Sequence, residues 1–130
     1  MRYLRFVIPN RSVESGYRSG FLRGAKVVQK RGVLADYEEK RLEEIFEWFN
    51  KNLPIPNRIS RKRNANHKNH RGLAWFKDSA LDHIRLAREV AELLHLHGVV
   101  IETLSTDRPG FIVYEDEFQV VAEPFSDSGA

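Results

Sequence analysis

The sequence predicts an α+β domain: a mixed five-stranded sheet with three helices mainly on one face, in the order β-α-α-β-α-β-β-β. Three observations predict it. Several segments place apolar residues at i, i+3, i+4 and i+7, the spacing of one helix face. Short runs of β-branched and aromatic residues stand between them, bounded by Pro, Gly and Asn. The 130 residues, 42% of them hydrophobic, suffice for one domain over 1–130 with a core of its own.

Tyr3–Ile8 is the first predicted strand, halted by Pro9-Asn10, and residues 9–16 read as a loop. A helix is expected over Tyr17–Arg31, with Tyr17, Phe21, Ala25 and Val28 on one face and Gly32 as its stop. The second helix opens at Asp36, with Glu39 three residues on as in a capping box, and carries Leu42, Ile45, Phe46 and Phe49 inward. Pro54 and Pro56 end it, because proline cannot continue a helix. Residues 57–72, NRISRKRNANHKNHRG, have no apolar period and predict a mobile basic loop.

Leu73–Phe76 is a short strand, and Asp78 is the expected cap of a third helix over Ser79–His97, closed by Gly98. That helix is apolar over more than half its circumference, so it should be covered on more than one side. With Val99–Leu104 it forms a βαβ unit, whose two strands should run parallel. Arg108-Pro109-Gly110-Phe111 suits a type II turn. Phe111–Glu115 and Phe118–Glu123 then make an acidic hairpin, followed by a short flexible tail over 126–130.

The chain has no cysteine, which excludes disulfides, a thiol nucleophile and thiolate metal sites. No apolar run is long enough to span a membrane, and MRYLRFVIPNRS lacks the uninterrupted core of a signal peptide. A cytoplasmic protein without a membrane contact is expected. The net charge of +3 conceals a polarity. Residues 1–33 carry eight basic groups and one acidic, and residues 53–72 carry six basic and none acidic. Residues 99–130 carry one basic and seven acidic. Such asymmetry concerns partners rather than fold.

LAWFKDSALDHI at 73–84 and RPGFIVYEDEFQVVAEPF at 108–125 resemble a group of small bacterial proteins, as do YLRFVIP and the EWFNKNLPIP helix end. The resemblance implies a bacterial or phage-related cytosolic protein. It brings no activity and no functional residue with it, and the basic loop lies outside it.

Arg58, Arg61, Lys62, Arg63, Lys68 and Arg71 are candidate contacts to nucleic acid or another polyanion, since Arg and Lys neutralise phosphates. Arg23, Lys26 and Lys30 form a second basic stripe on the first helix. No zinc-finger spacing, RNP motif or GXXG loop accompanies them, so the signal is electrostatic. Trp48 lies about 110° from the apolar centre of its helix and is a candidate protein-interface residue. His67-x-x-His70 and the Glu115-Asp116-Glu117 run are weaker candidates for metal, and His83, on the apolar arc of its helix, reads as a core histidine before a base. Gly16, Gly20 and Gly24 fail the phosphate-loop spacing and read as close helix packing.

The leading reading is a non-enzymatic binding or regulatory module whose basic surface meets nucleic acid or an acidic protein, with no cofactor. Head-to-tail self-association through charge complementarity is a further expectation. The alternatives are an inhibitor or adaptor acting through Trp48 and the C-terminal hairpin, and a small metal-assisted hydrolase or nuclease using the acidic run with His83.

Overall fold

A computed structural model describes residues 1–11, 18–54 and 72–125. It contains β1 (Tyr3–Arg11), β2 (Arg18–Gly20), α1 (Phe21–Arg31), α2 (Asp36–Asn52), β3 (Leu73–Lys77), α3 (Leu81–Leu96), β4 (Glu102–Thr106), β5 (Phe111–Glu115) and β6 (Gln119–Glu123). The α+β class and three helices follow the sequence expectation. The basic segment over 57–71 and the tail over 126–130 lie outside the described residues.

β1 organises the sheet. A central strand needs apolar groups on both faces, and β1 supplies Phe6 on one and Val7 on the other, both buried. The hydrogen-bonded path runs β2-β1-β3-β6-β5, and β4 pairs with β1 as well. Leu4 faces both Ser105 of β4 and Phe76 of β3, and Val7 faces both Glu102 of β4 and Gly20 of β2. β4 therefore takes one edge of β1, while β3 and β2 share the other. All the described ladders are antiparallel. The expected parallel relation within the βαβ unit survives as direction only. β3 and β4 both oppose β1 and so run the same way, but β1 lies between them.

Boundaries shift where tertiary pairing intervenes. Arg18–Gly20 pairs with β1, so α1 starts at Phe21 rather than Tyr17. β1 continues past Pro9 to Arg11 because β2 supports it there. Ala35, not Asp36, is the N-cap of α2, and the Glu38 carboxylate accepts from its N–H at 2.9 Å. That is half of a capping box, shifted by one residue from the expected one. Asp78 caps nothing; it accepts from the Arg2 N–H, and α3 begins after Ala80 without a side-chain cap. Val99 and Ile101 pack on the helical core instead of pairing, which delays β4 to Glu102.

The helices cover one face of the sheet. Phe6 and Phe76 meet Phe21, Ala25 and Val28 of α1, Leu42, Ile45 and Phe49 of α2, and Ile84, Ala87, Val90 and Leu94 of α3. The Phe21 ring packs edge-on to Phe6 at 6.0 Å and to Phe49 at 5.6 Å. Each such side chain contributes about 1.5–3 kcal/mol on burial. Gly24 permits α1 its close approach: a Cβ there would lie 3.3 Å from Ile8 and 3.4 Å from Leu94. A smaller cluster, Trp75 and Val120 with Tyr3, Leu73 and Leu104, lies on the opposite face. Among the described residues no helix is long and apolar enough to cross a membrane.

Candidate functional site

Two features adjoin on the α1 side of the molecule. The first is the predicted basic stripe. Arg23, Lys26 and Lys30 stand at i, i+3 and i+7 on α1 and are exposed. With Leu22 and Val27 they line a groove of about 450 Å³. No described carboxylate pairs with any of the three. Lys26 Nζ lies 6.0 Å over the Phe46 ring, which holds its stem against α2. Arg58, Arg61, Lys62, Arg63, Lys68 and Arg71, the other predicted polyanion contacts, lie outside the described residues, as do His67 and His70.

The second feature is a cleft of about 260 Å³ where the sheet splits. The β1–β3 ladder holds only at Tyr3 and Leu4, and β2 joins β1 from Val7 onward. Between these points Arg5, Phe6, Gly20, Ala74 and Trp75 border an opening. Phe21, Leu22, Leu53 and Phe76 form its apolar walls, Gln119 adds an amide, and Arg23 joins it to the basic groove.

Arg5 is the unusual member. It is only 8% exposed, and no described carboxylate neutralises it. One Nη2–H donates to the Arg18 carbonyl at 2.6 Å, whereas Nη1 is buried without a partner. Burial first, and the Arg18 charge second, bring its pKa down to about 10, so it stays cationic at neutral pH. Arg18 itself pairs with Glu102 at 3.0 Å. Trp75 Nε1 is also buried and without a partner. Gln119 Nε2 donates to the Pro54 carbonyl at 2.7 Å and to Asp116 at 3.0 Å, tying β6 to the end of α2.

Sequence reasoning missed Arg5, Trp75 and Gln119. Arg5 carried a signal: an arginine inside the run YLRFVI breaks an otherwise apolar strand. Its burial depends on strands 13 to 100 residues away, which no local pattern reports.

The remaining candidates are part buried and part exposed. His83 is buried, its Nε2 lies 2.8 Å from the Asn52 carbonyl, and its ring is enclosed by Trp48, Phe118, Phe76 and Phe49 at 4.5–6.0 Å. Trp48 is half-buried, with its ring edge-on to that imidazole at 4.7 Å. Glu115 pairs with Lys77 at 2.6 Å, and Glu117 is exposed. Asp116 is consumed by its own turn, accepting from Tyr114 Oη, Gln119 Nε2 and the N–H groups of Phe118 and Gln119. Burial raises its pKa, but the bonds from Phe118, Gln119 and Tyr114 together hold it below the ordinary carboxylate value. Among the described residues no three His, Asp or Glu side chains are placed to share a metal ion.

Compared with family models, curated proteins and solved structures, the chain matches none.

Proposed function

We propose that this protein is a binding module that engages nucleic acid through the basic groove of α1. The observation that carries the reading is the set of three exposed cations, Arg23, Lys26 and Lys30, lining one groove with no carboxylate partner among the described residues. Surface cations on a helix commonly pair at i±3 or i±4, as Arg41–Glu44 and Lys51–Glu47 do on α2. Those of α1 are left for an external anion. Leu22 and Val27 between them give apolar contact for sugar or base. The basic segment adds to this by chain connectivity. Leu53 borders the cleft beside Leu22 and Arg23, and Arg58 follows five residues later, within at most roughly 18 Å of chain. The other five cations follow Arg58 along the same segment.

Fluorescence anisotropy with single- and double-stranded DNA and RNA, titrated with salt, tests this. Each phosphate neutralised contributes about 0.9 to the salt slope on duplex and about 0.7 on single strands. The triple variant Arg23→Ala, Lys26→Ala, Lys30→Ala should lower the slope by about 2 to 3, and Arg61→Ala, Lys62→Ala, Arg63→Ala by a similar amount. No binding to any probe at low salt overturns the reading. The adaptor reading retains one supporting observation: Phe111 and Ile112 are 67% and 45% exposed on β5, at the end of the sheet path.

A further inference from the structure

We infer that α1 lies along one phosphate backbone of duplex nucleic acid and takes it without regard to base sequence. The inference rests on the nucleic-acid reading above and narrows it to one class of ligand.

The outward face of α1 comes first. The helix, FLRGAKVVQKR, contains no carboxylate. Its exposed residues are Arg23, Lys26, Val27, Lys30 and Arg31, four cations and one valine. At 3.6 residues per turn, Arg23, Lys26 and Lys30 fall within roughly 60° of arc, and at 1.5 Å per residue they span about 10 Å. One strand of a duplex advances about 3.4 Å per phosphate. The stripe therefore matches a run of about three phosphates on a single strand.

The flank decides how the helix lies. A helix seated in a groove has backbone on both sides and needs cations on both flanks. On one flank α1 meets α2, where Gln29 Nε2 donates to Glu39 at 3.3 Å and Lys26 lies over the Phe46 ring. Glu43 is four residues from Glu39 and three from Phe46, so it shares their side of α2, and it is exposed. That flank is acidic and turns a second backbone away. The ridge of α1 accepts the first.

The side chains fit phosphate rather than bases. Direct readout needs groups that reach base edges inside a groove. Gln29, the only amide of α1, is engaged by Glu39, and cations on a ridge outside the groove meet backbone. A single strand exposes its bases, and proteins hold them by stacking on aromatic rings. Here the ring beside the stripe, Phe46, has its face under Lys26, and the groove's apolar members, Leu22 and Val27, are aliphatic. A duplex keeps its bases stacked inside and presents one charge per roughly 1.7 Å, about twice the density of one strand. A face of cations and aliphatic groups suits that surface.

Fluorescence anisotropy on the full chain at one low salt concentration tests this. The probes are a short DNA duplex, each of its strands alone, and a second duplex of equal length and unrelated sequence. The duplex should bind about tenfold more tightly than either strand, and the two duplexes should agree within about twofold. The variant Arg23→Ala, Lys26→Ala, Lys30→Ala should cut the duplex preference to about twofold. These side chains are exposed and Ala favours helix, so the fold is kept. The variant Arg61→Ala, Lys62→Ala, Arg63→Ala should bind more weakly overall and keep the preference. Strands that bind as tightly as the duplex overturn the inference and leave nucleic-acid binding standing. A tenfold difference between the two duplexes, or a preference that survives the α1 substitutions, overturns it in the same way. No binding to any probe removes the nucleic-acid reading and this inference with it.

Discussion

The Nε2 atom of His97 lies 3.1 Å from each carboxylate oxygen of Glu38, joining the C-terminus of α3 to the first turn of α2. Glu38 also accepts from the Ala35 N–H at 2.9 Å, so a single side chain caps one helix and grips the end of another.

The Ala35 N–H first, and the His97 ring second, hold the Glu38 pKa below its ordinary value of 4.5. A carboxyl group with a depressed folded-state pKa stabilises fully above its unfolded value and loses that contribution as pH falls through the folded one. The Glu38 contribution should therefore be level above about pH 5 and decline on acidification below about pH 4.5. Urea midpoints between pH 3 and pH 7 should show a shallower acid decline in Glu38→Gln than in the native chain. An identical acid limb in both would place the pH dependence on other carboxylates, with Glu89 and Asp116, both likewise depressed, as the next to substitute.

Gly110 should tolerate no side chain. Its φ of 135° suits glycine, and a Cβ there would fall 1.9 Å from the carbonyl oxygen of Glu123, which is backbone and cannot step aside. Gly110→Ala should cost about 2–4 kcal/mol in denaturant unfolding, through strain at the entry to the β5–β6 hairpin. A loss under about 0.5 kcal/mol would mean that the turn re-forms freely.

The ring of His83 should matter for packing before proton transfer. His83→Phe keeps the contacts to Trp48, Phe49, Phe76 and Phe118 and loses the bond to the Asn52 carbonyl, a cost of about 1–2 kcal/mol. His83→Ala opens a cavity among four aromatic rings and should cost about 3 kcal/mol or more. Trp48 emission during urea unfolding reports both. Equal costs for the two variants would show that the hydrogen bond, not the ring, is what the site requires.

How far the chain could be read in advance depends on the range of the interaction concerned. α2 and α3 were legible because Leu42, Ile45 and Phe49, or Ile84, Ala87, Val90 and Leu94, advertise a buried face within a few turns. The exposed stripe of Arg23, Lys26 and Lys30 was legible for the same reason. β2 was not: Arg18-Ser19-Gly20 has no strand signature and is extended only because β1 offers it an edge. The place of β1 between β3 and β4 was equally hidden, since a βαβ pattern does not record which strand enters its middle. The cleft followed it out of sight.

That shared edge has a consequence during synthesis. β1 precedes every one of its partners in the chain, and Tyr3 pairs with Thr106. At about 5–20 residues per second, a ribosome needs roughly 5–20 s to make the hundred residues between them. Throughout that interval the central strand of the sheet has one edge with nothing to pair to. Its early partner is the short β2, which secures only the far end. The nascent chain therefore depends on whatever shields Phe6 and Val7 in the meantime, and the yield of folded protein should respond to translation speed and chaperone supply more than a domain built from neighbouring hairpins would.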